Sequence, residues 1–551
     1  MRLLTGVAMA SALAYASELT EAVRIDDRAR VETLLKAGVK VNECEGDGAS
    51  ALAWAAVRSN TGIATLLVNA GADPNLANEL GITPLAIAIS NGSAELALLL
   101  LERRANPNLA RENGESPLMT AARLGRVDIM RALLAKGARV DAREMKFGQT
   151  ALMWAAGNPE AVALLLQHGA DWRPVTNSWD VTYTNYLPTT VTLGKTGIPW
   201  NNDGTYSVKK GNLSALHFAA QKNDLASVRL LLDAGAPVDS PTADGATPLL
   251  TALYKWDQPK STFIPGKGAP ATAGSSQQFR PNLAIASLLL DRGASVKARD
   301  GSGYTPLHGA SLAVAKAART GSRLKGAYGG SAAALALGAD EDATLKLDDA
   351  LALVERLLKA GADPNLPTIY ATGGPAGDVR INPAPAGSSP MHIAASSGSV
   401  ALVKVLAAHG GNPNLLRKDG HTPFSVSVLA GDVAVVKQLA ESGAVVKGRW
   451  SPRDKIPDPV EAITLARENQ TALHLAAIEG KPELLTYLHS LGLPLDAKNS
   501  MEETPLDLAD KQERYRFAIQ VQGVDGDVDK IAKIVRKTEG TDCLKKLAAL
   551  K

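Results

Sequence analysis

The chain has 551 residues, 45% of them hydrophobic and 21% charged, with a formal net charge of +3. So small a charge, with no run of lysines or arginines, excludes the basic footprint of a nucleic-acid-binding protein. Two cysteines, Cys44 and Cys543, are too few for a thiolate zinc cluster and, lying near opposite ends of the chain, read as free thiols.

At the amino terminus, Arg2 precedes a run of apolar and small residues from Leu3 to Leu13 and then Ala14-Tyr15-Ala16. This has the form of a secretory signal over residues 1–16, with a periplasmic or secreted protein as its consequence. The alternative is an N-terminal capping helix in a cytoplasmic protein. No later segment reaches the roughly 18 uninterrupted apolar residues that a membrane span needs.

From Gly81 to Asn113 the text GITPLAIAISNGSAELALLLLERRANPNLAREN reads as one structural unit. Thr83 is a helix N-cap with Pro84 at the first helical position. A short apolar helix follows, then a turn at Asn91-Gly92, a second helix and an Asn-Pro-Asn tip. Neither helix buries its apolar face unaided, so the unit requires copies of itself on both sides.

Those copies are present. The leucine after the N-cap pair recurs as Leu52, Leu85, Leu118, Leu152, Leu216, Leu249, Leu307, Met391, Phe424, Leu473 and Leu506, with gaps of 33, 33, 34, 64, 33, 58, 84, 33, 49 and 33 residues. One period back from Leu52 stands Leu19. Second helices such as VETLLKAG, IATLLVNAG and IMRALLAKG end in glycine, which favours the left-handed cap; in LALLLLERR, Arg104 takes that glycine's place. With GITPLAIA, GESPLMTAA, GYTPLHGA, SPMHIAA and QTALHLAA, and the closing GADPN at Gly71 and Gly361, the chain resembles the ankyrin-repeat family. The resemblance implies an all-α solenoid of about 11–12 helix-turn-helix repeats over residues 17–510. Residues 511–551, richer in charge, read as a helical cap. Such a stack has one continuous core, in place of the three or four domains that length alone suggests.

The longer gaps are the period plus insertions, near 171–212, 256–281, 311–348, 370–388 and 448–469. In unbroken repeats the marker residue and the next closing glycine are 19 apart, Leu52 to Gly71, and that glycine and the next marker 14 apart, Gly71 to Leu85. Excess in the second interval lies in the finger loops: Gly169 to Leu216, Gly361 to Met391, and Gly443 to Leu473. Excess in the first, Leu249 to Gly293 and Leu307 to Gly361, lies between the two helices of a repeat. The resemblance implies that the fingers edge the concave face where partners usually bind.

The finger at 171–212 carries Trp172, Trp179, Tyr183, Tyr186, Trp200 and Tyr206 in a chain with 4% aromatics, and alternation in VTYTNY and TTVTL suggests a hairpin. These aromatics form either a small core of the loop or a binding platform. Segment 256–281 is rich in Pro, Gly and Ser, whereas 311–348 is Ala-rich and reads as lengthened or extra helices. Tyr370 and Arg380 mark another exposed finger. Arg449, Trp450 and Arg453 mark a third, followed by a helix PVEAITLAREN.

Chemistry-bearing motifs are thin. His217, His308, His392 and His474 each follow a marker residue, and a catalytic histidine does not recur in every repeat; the resemblance gives them a structural linking role. TTVTLGKTG lacks the first glycine of a phosphate loop, and Asp525, Asp527 and Asp529 lack the glycine and distal glutamate of a calcium loop. We therefore expect no catalytic site, cofactor or metal. The expected function is a monomeric scaffold that binds a protein through its concave groove and fingers, the alternative being a carbohydrate or small-ligand binder using the Trp/Tyr finger.

Overall fold

The computed structural model describes residues 18–184, 205–253, 281–320, 345–369, 387–417, 420–450, 469–479, 482–509 and 549. They belong to two compact units, Met1–Trp179 with Lys209–Ala243, and Asp180–Val208 with Asp244–Lys551.

In the first unit each repeat is a pair of short antiparallel helices. The pairs are α1 (18–24) with α2 (Arg28–Lys36), α3 (Ala51–Val57) with α4 (Thr61–Asn69), α5 (Pro84–Ser90) with α6 (Ala94–Glu102), α7 (Pro117–Arg123) with α8 (Val127–Ala135), α9 (Ala151–Ala155) with α10 (Pro159–Gln167), and α11 (Ala215–Gln221) with α12 (Leu225–Asp233). The first helices α3, α5, α7, α9 and α11 pack in succession, and the second helices do likewise. In sequence between α10 and α11 lie strands β1 (Trp179–Thr184) and β2 (Thr205–Lys210), paired with each other; all of their residues except Trp179, Lys209 and Lys210 belong to the second unit. The expected hairpin thus takes VTYT into β1, but its second strand is TYSVKK; TTVTL lies outside the described residues.

The second unit repeats the plan: α13 (Pro248–Leu253) with α14 (Leu283–Asp291), α15 (Pro306–Thr320) with α16 (Leu347–Lys359), α17 (Pro390–Ser397) with α18 (Val400–Ala408), α19 (Pro423–Ala430) with α20 (Val433–Glu441), α21 (Ala472–Glu479) with α22 (Pro482–Ser490), and then α23 (505–509). Helix α15 runs 15 residues where α5 has 7, so SLAVAKAART is a lengthened first helix. The expected helix PVEAITLAREN, the loop at 256–280, the phosphate-loop and calcium-loop look-alikes, Cys543, the cap from 511 onward except residue 549, and the signal segment 1–16 lie outside the described residues.

Local chemistry sets each helix start. The Thr83 hydroxyl accepts from the N–H of Ala86 at 3.2 Å, with Thr83 itself extended at φ −88° and ψ 159°. Pro84 costs nothing there, since the first N–H of a helix has no intrahelical partner. The marker residues from Leu19 to Leu473 are at most 2% exposed. Each buried leucine side chain contributes about 1.5–3 kcal/mol. Leu506, the last marker, is half-buried.

A ladder of asparagines joins neighbouring repeats. The amide of Asn42 donates to the Gly71 carbonyl at 3.0 Å and accepts from the Asp73 N–H at 2.7 Å. Asn75 does the same with Arg104 and Asn106, Asn108 with Gly137 and Arg139, and Asn414 with Gly443 and Val445. Asn365 reaches Gly410 across 45 residues instead of 29, so a 16-residue excess leaves the rung intact. The asparagines expected to shape tight turns therefore also clamp one repeat to the next.

Candidate functional site

The histidines of the TPLH-type motifs are consumed by structure. His217, His308, His392 and His474 are at most 2% exposed. In each, Nδ1 accepts from the N-cap backbone N–H, that of Ser214, Thr305, Ser389 and Thr471, at 3.1–3.3 Å. In three of them Nε2 donates to a carbonyl of the following finger: His308 to Ser388 at 3.1 Å, His392 to His421 at 3.2 Å, and His474 to Glu503 at 3.0 Å. A ring that accepts at one nitrogen and donates at the other is neutral. Burial, outweighing the bond to Ser388, pushes His308 down to about 4, and burial likewise lowers His474. No group of His, Cys, Asp or Glu among the described residues is arranged to hold a metal ion. No helix among them is long and apolar enough to cross a membrane.

The finger aromatics divide. Trp172 is half-buried, with the Arg173 guanidinium 5.0 Å from its ring and its edge beside Gly235. Trp179, also half-buried, packs on Phe147 of the preceding finger with ring centroids 5.1 Å apart. Tyr183 and Tyr206 lie in β1 and β2. Tyr186, Trp200, Tyr370, Arg380 and Arg453 lie outside the described residues.

The finger's stem is closed by Thr176, whose N–H donates to Leu213 at 3.0 Å and whose carbonyl accepts from Asn212 at 3.2 Å. Gly211 makes this closure possible. Its φ is 111°, and a Cβ there would stand 2.2 Å from the Asn177 carbonyl oxygen.

Around Trp450 the structure places core where surface was expected. Trp450 is 5% exposed, stacks on Phe424 with centroids 6.2 Å apart, and donates from Nε1 to Thr422 Oγ1 at 3.3 Å. An indole so enclosed offers a partner nothing. Arg449 is exposed, but its guanidinium donates to the carbonyls of Asn469 and Lys498 at 3.1 and 3.0 Å and so ties two fingers together.

What the sequence reading passed over is a column on the first helices of the first unit. Trp54, Ile87, Trp154 and Phe218 each stand two residues after a marker and are half-buried, whereas Thr120 in the same column is fully buried. Two of them carry an arginine from the preceding repeat, five residues after its marker: Arg24 lies 4.7 Å from the Trp54 ring centroid and Arg123 lies 5.5 Å from that of Trp154. Such contacts hold a cation against an apolar surface without fully desolvating it. Exposed Val57, Leu80, Leu124 and Met145 add apolar area on the same repeats. The signal was in the spacing, tryptophan at marker plus two and arginine at marker plus five.

The two arginine-tryptophan pairs differ in their acids. Glu45 bridges the first, accepting from Arg24 Nη2 at 2.5 Å and from Trp54 Nε1 at 3.0 Å. At the second, Glu115 is 7% exposed, accepts from the Thr120 hydroxyl at 2.8 Å and lies between Arg111 at 3.7 Å and Arg123 at 3.5 Å. Glu144 is 7% exposed and turned under its own finger, where it accepts from the N–H groups of Lys146, Phe147 and Gln149.

Comparison with known proteins agrees with this architecture. A family model described as ankyrin repeats (3 copies) matches residues 19–111, 98–175 and 343–449, and a second, ankyrin repeats (many copies), matches 216–256. No curated protein matches the chain. More than half of the sequence falls within the matched segments, and the protein belongs to the ankyrin-repeat family, whose repeats mediate protein–protein interaction.

Proposed function

We propose that the protein is a scaffold that holds a protein partner on the face formed by the first helices and fingers of its first unit; the insertions at 171–212, 370–388 and 448–467 are separate candidate contact elements. The observation that carries this reading is the column of Trp54, Ile87, Trp154 and Phe218, large apolar side chains left only half-buried on helices whose other positions are buried. A monomeric fold gains nothing by holding such a row at its surface, whereas aromatic anchors flanked by arginine supply most of the energy in protein interfaces. Rigid repeats keep the row in place before a partner arrives, so little ordering entropy opposes binding. The test is capture of proteins from the source cell by the natural sequence and by a variant with Ile87→Arg and Phe218→Arg. Both positions are half-buried at the helix surface, so an arginine there reaches solvent and helical content should be unchanged while captured partner falls at least tenfold; equal capture refutes the reading.

We also propose that residues 1–16 are an export signal. Leu19, the first marker, follows directly on them and is 2% exposed, so their removal leaves the first repeat whole. Amino-terminal sequencing of the natively expressed protein decides it, an intact Met1 end removing the proposal.

A further inference from the structure

We propose that Arg123 and Trp154 form a carboxylate subsite on this face, and that it takes an Asp or Glu side chain from an acidic, extended segment of the partner. The inference rests on the scaffold reading and deepens it.

The molecule contains its own precedent. At the first arginine-tryptophan pair a carboxylate, Glu45, receives both the guanidinium of Arg24 and the indole N–H of Trp54, and Arg24 has a second acid in Glu21 at 3.2 Å. The second pair has the same arginine over the same ring but lacks that acid. Trp154 Nε1 has no hydrogen-bond partner among the described residues. An indole N–H shielded from water without an acceptor is an unmet demand that a bound carboxylate satisfies.

The missing acid has a structural cause. In the second repeat the Glu45 N–H donates to the carbonyl of Ala49, four residues on; in the fifth the Glu144 N–H donates to Gln149, five residues on. The fifth finger is one residue longer, and the carboxylate of Glu144 caps that larger loop from beneath instead of reaching the tryptophan. Met145 then stands at the surface, 74% exposed.

Charge on these repeats favours an acidic occupant. The side chain of Arg123 is 50% exposed, and Glu115, its only carboxylate within 4 Å among the described residues, is shared with Arg111 and Thr120. Lys146, with Nζ 5.0 Å from the Phe147 ring centroid, and Lys222, packed beside Gly157, make no ion pair among the described residues. Against them, Glu115 and Glu144 are buried and committed; Glu112 is exposed at a neighbouring finger tip, and Asp141, also exposed, accepts from the Asp171 N–H. A chain with apolar residues for Trp154 and Phe218 and acids for Arg123, Lys146 and Lys222 matches this pattern, and its ordering is helped by long-range attraction.

The test uses dodecapeptides selected on the full chain from a random displayed library, then synthesised with acetylated and amidated ends so that only side-chain carboxylates remain. Binding is read by fluorescence polarisation against the natural sequence, Arg123→Gln, Trp154→Phe and, as a control, Trp54→Phe. The selected peptides should carry Asp or Glu beside Leu or Phe. Their Kd should rise at least tenfold with Arg123→Gln or Trp154→Phe and stay within about twofold with Trp54→Phe, whose N–H already has Glu45. Replacing the peptide's acids by Asn and Gln should abolish the difference between proteins. Trp154→Phe keeps an aromatic ring and removes the N–H, so a merely structural tryptophan predicts no more change in Kd than Trp54→Phe gives. Peptides that lack acids, or acidic peptides indifferent to both variants, overturn the inference. If such peptides still lose binding with Ile87→Arg and Phe218→Arg, the scaffold reading survives; if they do not, both fall.

Discussion

Lowering the pH should loosen the second unit through His308. Folding depresses this imidazole from 6.5 to about 4, because the ring is fully buried and its neutral form is the one that bridges Thr305 and Ser388. A group whose pKa falls on folding binds its proton more readily in the unfolded chain. Its contribution is therefore intact above the unfolded value and is lost as the pH falls toward the folded one. The full span corresponds to about 3 kcal/mol, with about 1.4 kcal/mol lost by about pH 5.5 and about 2.5 kcal/mol by about pH 4.5. The assay is urea unfolding followed by circular dichroism, comparing the natural sequence with His308→Gln at about pH 7.5, 5.5 and 4.5. At neutral pH the variant should be less stable, since glutamine cannot reproduce the acceptor at Nδ1. The gap should close as the pH falls, because glutamine carries no proton penalty. A gap that stays constant from neutral pH to about pH 4.5 refutes the reasoning, for it would mean that the imidazole titrates alike in the folded and unfolded chains.

Two further outcomes follow from the backbone. Arg104 is exposed and holds φ 70° at a helix end where Gly71 and Gly137 hold 92° and 83°, so Arg104→Gly should raise the urea midpoint, by an amount equivalent to about 0.5–1 kcal/mol; no gain would show that the arginine is not strained. Gly211→Ala drives a methyl into the Asn177 carbonyl, and should break the Thr176 closure, exposing its amide to hydrogen exchange and lowering stability by about 1–3 kcal/mol. Unchanged protection at Thr176 and Leu213 would contradict the close approach.

Much of the fold was legible because its signal is redundant. Leu52, Leu85 and Leu118 recur at one period, and burial of each confirms the same statement independently. The linking histidines were legible for the same reason: His392 and His474 sit at one offset from their markers and make the same bond to the next finger. The unit boundary after Ala243 was not legible, since it falls inside the unbroken 33-residue interval from Leu216 to Leu249. Trp450 was misread because an aromatic next to Arg449 in an insertion looks exposed, whereas its backbone pairs with Gln470 and directs the ring onto Phe424. Composition draws attention to aromatic clusters, and Trp54 and Trp154 stand 100 residues apart in sequence. Only the repeat register relates them.

That register also explains how one residue can separate an internal ion pair from a recognition site. Marker spacings of 33 residues keep Glu45 near Trp54, and there the acid serves the arginine and the indole at once. The gap from Leu118 to Leu152 is 34, the extra residue lies in the finger, and in the larger loop the N–H groups of Lys146, Phe147 and Gln149 need a side-chain acceptor. Glu144 meets that need, because leaving three amides without acceptors costs more than leaving one indole. The solenoid around it does not adjust: Leu152 remains 1% exposed and Arg123 still covers the ring. A repeat fold confines such a change to one finger, since each unit contacts only its neighbours, and the helices beneath it hold their spacing. Variation in loop length by a single residue, with the helices unaltered, is thus sufficient to turn a self-satisfied surface pair into one whose acceptor must come from another molecule.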